Sequence, residues 1–218
     1  MGWIGRFWGS SIGKKAVMAV TGVILFGFLI GHMIGNLLVF GGPEKLNSYA
    51  MSIQNSAVLL WGVRGLLLVS VVLHIIAMIA LTRQNRAARP VKYEHPSTVR
   101  ATLYAKTMRL SGLLLLAYII YHLLHFTLGK LHPNFIEGDA YHNMIEGFKQ
   151  VPVSIGYIVA MICVGLHLRH GVWSLFQSVG LNHPRINKFR EVFAALFAAI
   201  LVLGNISMPV AVMAGWLK

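Results

Sequence analysis

Histidines inside long apolar stretches are the residues of this sequence best suited to do chemistry. His122 lies in the apolar stretch 110–128, and His32, His74 and His167 each lie in another such stretch. Because hydrocarbon offers no water to solvate an imidazole, a histidine in that position marks a functional site by default. An imidazole there can ligate a metal or a cofactor, or it can relay protons. Four such histidines in four stretches are what a cofactor held between helices would need.

The composition indicates that membrane-spanning helices must position these histidines. The chain has 218 residues, of which 56% are hydrophobic and 11% charged, whereas soluble domains carry about 25% charged residues. Five apolar stretches are long enough to cross a bilayer, and they do not alternate as barrel strands do. We therefore predict an all-α integral membrane protein that is a single transmembrane domain over residues 1–218. Its five helices should lie near 16–40, 57–81, 109–128, 153–176 and 191–216.

The basic residues predict how these helices are oriented. Outside the apolar stretches, thirteen lysines and arginines fall on the side that holds the N-terminus and four on the other side. By the positive-inside rule, the N-terminus should be cytoplasmic and the C-terminus outside. The net charge of +13 then reflects topology, contact with anionic lipid and a docking face for cytoplasmic partners, and no nucleic-acid binding is expected. The thirteen are Arg6, Lys14, Lys15, Arg83, Arg86, Arg89, Lys92, Arg100, Lys106, Arg109, Arg185, Lys188 and Arg190.

Helix geometry sorts the four histidines by depth. At about 1.5 Å per residue, His74 and His167 would lie roughly 13 Å from the cytoplasmic helix ends, and His122 and His32 roughly 20 and 25 Å. The result is an inner pair and an outer pair, each with one histidine from each half of the chain. Two stacked haems would suit this arrangement, because an iron with two imidazole ligands is closed to substrate and favours electron transfer.

Two other kinds of metal site fit the sequence less well. The single cysteine, Cys163, excludes covalent c-type haem attachment and a cysteine-ligated cluster within this chain. Two histidines per site would leave the tetrahedral shell of zinc half empty. The sequence therefore favours four helices that hold two haems b.

A weak internal repeat bears on which histidines would be ligands. Thr21-Gly22 precedes His32 with the same spacing as Ser111-Gly112 precedes His122. This spacing favours His122 over His125, which lies three residues later.

The inner site keeps two candidates, because the repeat does not choose between His167 and His170. His170 is expected nearer the cytoplasm, where it could contact a haem propionate or a quinone. The remaining histidines fall in connections and should be solvated; they are His95, His132, His142 and His183.

Around these histidines the sequence resembles the cytochrome b subunit of succinate:quinone oxidoreductases, a five-helix membrane anchor with two haems b. The most specific match is His167-Leu-Arg-His-Gly171-Val-Trp173-Ser174, which is similar to the family's fourth-helix His-x-x-x-Gly-x-Trp-Ser signature. The third helix matches through Arg109-x-Ser111-Gly112 followed by His122. The first helix matches through Gly22 followed by His32 and Asn36, and the second matches through His74 alone. One departure is Gly165, where some relatives carry a glutamate that moves protons.

The resemblance implies which side chains bind the haems. The axial ligands would be His32 and His122 for the outer iron, and His74 and His167 for the inner iron. Arg64 matches a family arginine at the outer start of the second helix, where contact with a propionate is plausible.

The resemblance also implies partners and a reaction. A flavoprotein subunit and an iron–sulfur subunit would dock on the cytoplasmic face of a bacterial inner membrane. Electrons would pass between them and membrane quinone, with menaquinone the usual partner of the two-haem pattern. The dicarboxylate chemistry of this succinate dehydrogenase or fumarate reductase, an enzyme of the tricarboxylic acid cycle, would lie in the partner subunits.

Two regions could bind the quinone. The outer start of the second helix offers Gln54 and Trp61 near the outer haem, while the inner side offers His170, Trp173 and the segment Trp8-Gly9-Ser10. Tryptophans also belt both membrane surfaces without any such role. We favour the outer region, because a second haem across the bilayer is otherwise hard to justify.

Two other functions are compatible with the same histidines. One is a two-haem cytochrome b that anchors a hydrogenase or a formate dehydrogenase. The other is a cofactor-free transporter or assembly factor that uses histidines as proton relays. The fourth-helix signature argues against the first alternative, and a visible spectrum would separate the second from any cytochrome.

Overall fold

The computed structural model describes residues 2–88 and 103–218, and this part of the chain is helical without any strand. Its α-helices are α1 (Trp3–Gly9), α2 (Ser11–Asn36), α3 (Pro43–Gln54), α4 (Ala57–Ala87), α5 (Leu103–His122), α6 (Ala140–Lys149), α7 (Val151–Ser178) and α8 (Pro184–Met213). A 3₁₀ turn, Leu37–Gly41, continues α2, and a π-helical turn, Leu123–Thr127, continues α5.

The prediction of an all-α protein with five spanning helices is confirmed. Among the described residues, five helices are long and apolar enough to cross a membrane: α2, α4, α5, α7 and α8. Their bounds differ from the predicted ones mainly at the basic ends: α4 continues to Ala87, α5 begins at Leu103 and α8 begins at Pro184. Arginine and lysine stems reach from a helix end to the headgroup region, so basic residues do not have to end a spanning helix. Arg89, Lys92, His95 and Arg100 lie outside the described residues.

The spanning helices pack as two pairs with a fifth helix on one side. The most extensive contacts join α2 to α4, α5 to α7 and α8 to α7, while α2 makes smaller contacts with α7 and α8. In the most apolar stretch of α2 only 11% of the residues are buried inside the protein, and in that of α4 only 17%. Most of the surface of these two helices is therefore left to face lipid or a non-protein group.

Gly165 lies at a close contact between α7 and α8. A Cβ atom at this position would lie 2.7 Å from Cγ2 of Val202 on α8, which is too close without a shift of the valine. A larger residue at this point would therefore require the α7–α8 contact to adjust.

The outer connections, expected to be loops, contain two helices that sequence reasoning missed. We use "outer end" for the end of the bundle that carries α3 and α6, and "inner end" for the opposite one. Pro43 and Glu44 occupy the first turn of α3, and Asp139 caps α6 by accepting a hydrogen bond from the His142 amide at 2.9 Å. Proline and acidic residues in a first turn and aspartate at an N-cap are start signals that could have revealed both helices.

Polar and apolar contacts hold α3 and α6 together as an outer cap. The Asn47 side-chain amide donates to Asp139 at 2.9 Å, and its oxygen accepts from the Tyr141 amide at 2.9 Å. The His142 amide, with Asn47 as a further donor, holds the pKa of Asp139 below its usual value. Beneath these bonds, apolar side chains of the cap pack on α7 and α8 in one cluster; they are Val39, Leu46, Met144, Ile145 and Phe148, against Tyr157, Met208 and Val212.

Candidate functional site

The two inner histidines lie on different helix pairs and have matching partners. His74 on α4 places its Nδ1 atom 3.0 Å from the Thr21 hydroxyl on α2. His167 on α7 places its Nδ1 atom 3.3 Å from the Ser111 hydroxyl on α5. Among the described residues, no hydrogen bond or ring contact joins His74 to His167; what the two share is a hydroxyl partner on the neighbouring helix of each pair. The assignment of both histidines to one inner site stays a prediction of the depth argument.

The two outer histidines are in direct ring contact and have less similar partners. The rings of His32 on α2 and His122 on α5 have centroids 5.7 Å apart and meet edge to face at 89°. His32 Nε2 lies 3.1 Å from the Asn36 side-chain amide nitrogen, and His122 Nδ1 lies 3.3 Å from the Tyr157 hydroxyl. The outer site is thus built from α2, α5 and α7.

His125 is more completely buried than His122, and it packs toward the outer cap. It is 0% exposed, and its Nδ1 atom lies 3.0 Å from the Tyr157 hydroxyl. Its ring stacks on that of His132 with centroids 4.9 Å apart. His132 is half-buried and bonds the Asn143 carbonyl of α6 at 2.8 Å, so it is only partly solvated and packs against the outer cap. The Nε2 atom of His125 is buried without a hydrogen-bond partner in the described structure.

His170 differs from His167 in its surroundings. Its ring centroid lies 6.1 Å from that of Trp173, and the Ser111 hydroxyl bonds to His167 instead. His170 therefore accompanies the inner pair on α7 without the hydroxyl partner that His74 and His167 share.

The outer quinone candidates do not contact the outer histidines. Gln54, Trp61 and Arg64 are all exposed, and Arg64 places its Cζ atom 5.0 Å from the centre of the Trp61 ring. Within the described residues, no hydrogen bond or ring contact joins these three to His32 or His122.

Two basic residues counted toward the docking face are buried at the inner end of the bundle. Arg190 is 0% exposed: Nη1 donates to the Leu181 carbonyl and to the side chains of Asn182 and Asn187, and Cζ lies 5.1 Å from the centre of the Trp173 ring. Lys14 is 7% exposed and donates to the Gly9 carbonyl and to Gln84, at 3.0 Å in both cases. Both cations serve to fix helix ends, and we remove them from the set of docking residues.

Sequence reasoning missed the role of several partners of the histidines. Tyr157, which contacts both His122 and His125, was not singled out, although its place on α7 ten residues before His167 puts it nearer the outer end. Thr21 and Ser111 were noticed only as marks of the repeat. A buried imidazole needs a partner for the nitrogen that binds no metal, and this requirement was the available signal.

The residues present fit haems better than a bare metal ion. Within the described part of the chain, no group of three or more histidine, cysteine, aspartate or glutamate side chains could hold an ion. Two histidines per site, contributed by different helix pairs, are the donor set of a six-coordinate haem iron. Gly22 lies beside His74, and Gly112 lies beside His167, so no side chain of these residues covers the rings.

Comparison with known proteins places the chain in a family. The family described as succinate dehydrogenase/fumarate reductase transmembrane subunit matches residues 82–205, which is more than half of the chain. No curated protein and no solved structure matches the sequence. The matched segment contains α5, α6 and α7 with His122 and His167, and it ends within α8. The chain therefore belongs to the family of transmembrane subunits of succinate dehydrogenase and fumarate reductase.

Proposed function

We propose that this chain is the two-haem cytochrome b anchor of such a complex, carrying electrons between a cytoplasmic iron–sulfur subunit and membrane quinone. The observation that supports this most is the ring contact of His32 with His122, together with the matching hydroxyl partners of His74 and His167, the pair that the depth argument assigns to the inner site. Each pair joins the two halves of the chain, and the pairs occupy different depths of the bundle. A cofactor-free helix packing would not require that pattern.

The four histidines would be the axial ligands, two for each haem b. Contact with the ring of His32 supports His122 over His125, which is enclosed by Tyr157 and His132. The Ser111 bond supports His167 over His170. When bound, such a haem supplies one-electron transfer at an iron that is closed to substrate.

The chain's own residues orient the ligands and keep water out. Hydroxyl partners at Nδ1 orient His74, His167 and His122, and the outer cap covers the outer end with apolar side chains. The Asn36 amide lies at Nε2 of His32, so ligation of iron through that nitrogen would require this contact to open. His170 and Arg64 are candidate propionate contacts at the inner and outer ends. For quinone, which we expect to be menaquinone, the candidate contacts are Gln54 and Trp61.

The topology completes the proposal. With the N-terminus cytoplasmic and the C-terminus outside, the inner end faces the cytoplasm of a bacterium. The flavoprotein and iron–sulfur subunits would dock there, and the exposed basic residues would meet them and anionic lipid.

The test is a visible difference spectrum of the purified complex, together with identification of its subunits. We expect a b-type haem spectrum on reduction, and a flavoprotein and an iron–sulfur subunit in the same particle. Absence of any haem band would contradict the proposal in favour of a proton-relay transporter. A haem spectrum with hydrogenase or formate dehydrogenase subunits would contradict it in favour of that other anchor.

A further inference from the structure

We propose that Thr21 and Ser111 are matched positioning residues of the inner site, and that each hydroxyl fixes the tautomer of the histidine opposite it. The inference rests on the proposed function, because it concerns how His74 and His167 present themselves to an iron. It adds two residues, one from each half of the chain, whose role would be to set the redox properties of one haem only.

Thr21 has one hydroxyl proton, and the helix backbone uses it. Its Oγ1 atom donates to the Val17 carbonyl at 2.8 Å, with the Met18 carbonyl at 3.2 Å. With that proton on the Val17 carbonyl, the contact of 3.0 Å with His74 is a bond that the hydroxyl accepts from Nδ1–H of the imidazole, and this tautomer is part of what we propose. Thr21 is only 3% exposed, so water does not compete for this bond.

Ser111 repeats this arrangement in the second half of the chain. Its Oγ atom donates to the Met108 carbonyl at 3.1 Å and lies 3.3 Å from His167 Nδ1. The residue is 4% exposed. His167 therefore donates its Nδ1–H to Ser111, as His74 does to Thr21.

This tautomer prepares both histidines for a metal. A neutral imidazole that carries its proton on Nδ1 has a free lone pair on Nε2, and the bond at Nδ1 fixes the ring and makes it a stronger donor. The glycine after each hydroxyl residue keeps the adjacent ring edge accessible. A Cβ atom would lie 3.7 Å from His74 Cε1 at Gly22, and 3.4 Å from His167 Cε1 at Gly112.

The outer pair lacks this arrangement. His32 has its Nε2 atom, not Nδ1, against the Asn36 amide. His122 shares the single Tyr157 hydroxyl with His125. Removal of either hydroxyl should therefore change the midpoint potential of the inner haem and not that of the outer one.

The experiment is a redox titration of both haems in the intact complex, with Thr21→Val and Ser111→Ala as the test variants. Each removes the hydroxyl acceptor and leaves only the carbonyl of Met18 or Met108 beside the imidazole, so the bond at Nδ1 is weakened, the imidazole becomes a weaker donor and it stabilises ferric iron less. We expect the midpoint potential of the inner haem to rise and that of the outer haem to stay unchanged. For a one-electron couple, about 59 mV would correspond to a tenfold change in the ferric-to-ferrous equilibrium.

Three further variants serve as controls. Thr21→Ser and Ser111→Thr keep the hydroxyls and should keep the wild-type potentials. Thr107→Val removes a hydroxyl of α5 that bonds the Leu103 carbonyl at 2.9 Å in the same way, one turn before Ser111, and among the described residues no hydrogen bond joins this hydroxyl to a histidine. It should leave both potentials unchanged.

The outcomes separate this inference from the proposed function. Wild-type potentials in both test variants, or equal shifts of both haems, would overturn the role of the hydroxyls while leaving a two-haem protein. Loss of the inner haem in Thr21→Val with retention in Thr21→Ser would support the role, and loss in both would overturn it. A wild-type complex without haem would overturn the proposed function itself.

Discussion

The imidazole rings of His32 and His122 meet edge to face with centroids 5.7 Å apart, although they come from different halves of the chain. Neither helix pair alone could build this contact, because α2 packs mainly on α4, and α5 on α7. The histidines therefore meet where the two helix pairs face each other. A cofactor held there would also tie the two halves of the protein together.

The pairing predicts which haem each histidine variant will lose. His74→Ala and His167→Ala should remove the same spectral component, and His32→Ala and His122→Ala the other, because each iron needs both ligands of its pair. Low-temperature difference spectra of the four variants would check this. If the His74 and His122 variants lost the same component, the assignment by depth would be wrong.

His125→Ala should retain both haems. The side chain is held between Tyr157 and His132 and lies away from the ring of His32, so its loss should loosen the outer cap without removing a ligand. Haem content per chain is the measurement, and His122→Ala is the matched comparison. Loss of the outer haem in His125→Ala, with retention in His122→Ala, would reverse the assignment.

The quinone region can be located by variants at the two ends of the bundle. Gln54→Ala or Trp61→Ala should slow quinone turnover, by about tenfold if roughly 1.4 kcal/mol of binding is lost, and should spare both haems and succinate-to-dye activity. His170→Ala and Ser10→Ala are the comparison at the inner end. Normal quinone turnover in the first set and abolished turnover in the second would place the site at the inner end.

The outer cap should depend on Asp139 and on acid pH. Asp139→Ala removes an N-cap and the bond from Asn47, which should cost about 0.5–2 kcal/mol of local stability, whereas Asp139→Asn keeps an acceptor. Since the pKa of Asp139 is lowered in the folded protein, its stabilisation is complete above the unfolded pKa of about 3.9 and is lost as the pH falls through the folded pKa. Hydrogen exchange of the α6 amides would measure both effects. Exchange in Asp139→Ala at wild-type rates would show that the cap does not depend on this residue.

The sequence predicted the spanning helices, because these follow from apolar length. Helical rise assigned His32 and His122 to one pair, which agrees with their ring contact, and the assignment of the four histidines to two haems stays a prediction. The sequence did not reveal Tyr157 or the part played by Thr21 and Ser111, since partners on other helices depend on the rotation of each helix about its axis. Rotation is set by packing, and the low amphipathicity of an apolar spanning helix gives little sign of it.

The buried cations illustrate a second limit. Arg190 and Lys14 were counted as surface charges because they stand near helix ends, where basic residues usually meet headgroups. Arg190 is instead fixed by the Asn182 and Asn187 side chains and the Trp173 ring. Only the fold of the turn between α7 and α8 places those groups around it.

The central claim is tested most directly by the haem content of the purified complex. A pyridine haemochrome assay, normalised to the amount of this chain, should give two haems b per chain, and both should be low-spin. One haem per chain, or none, would contradict the account.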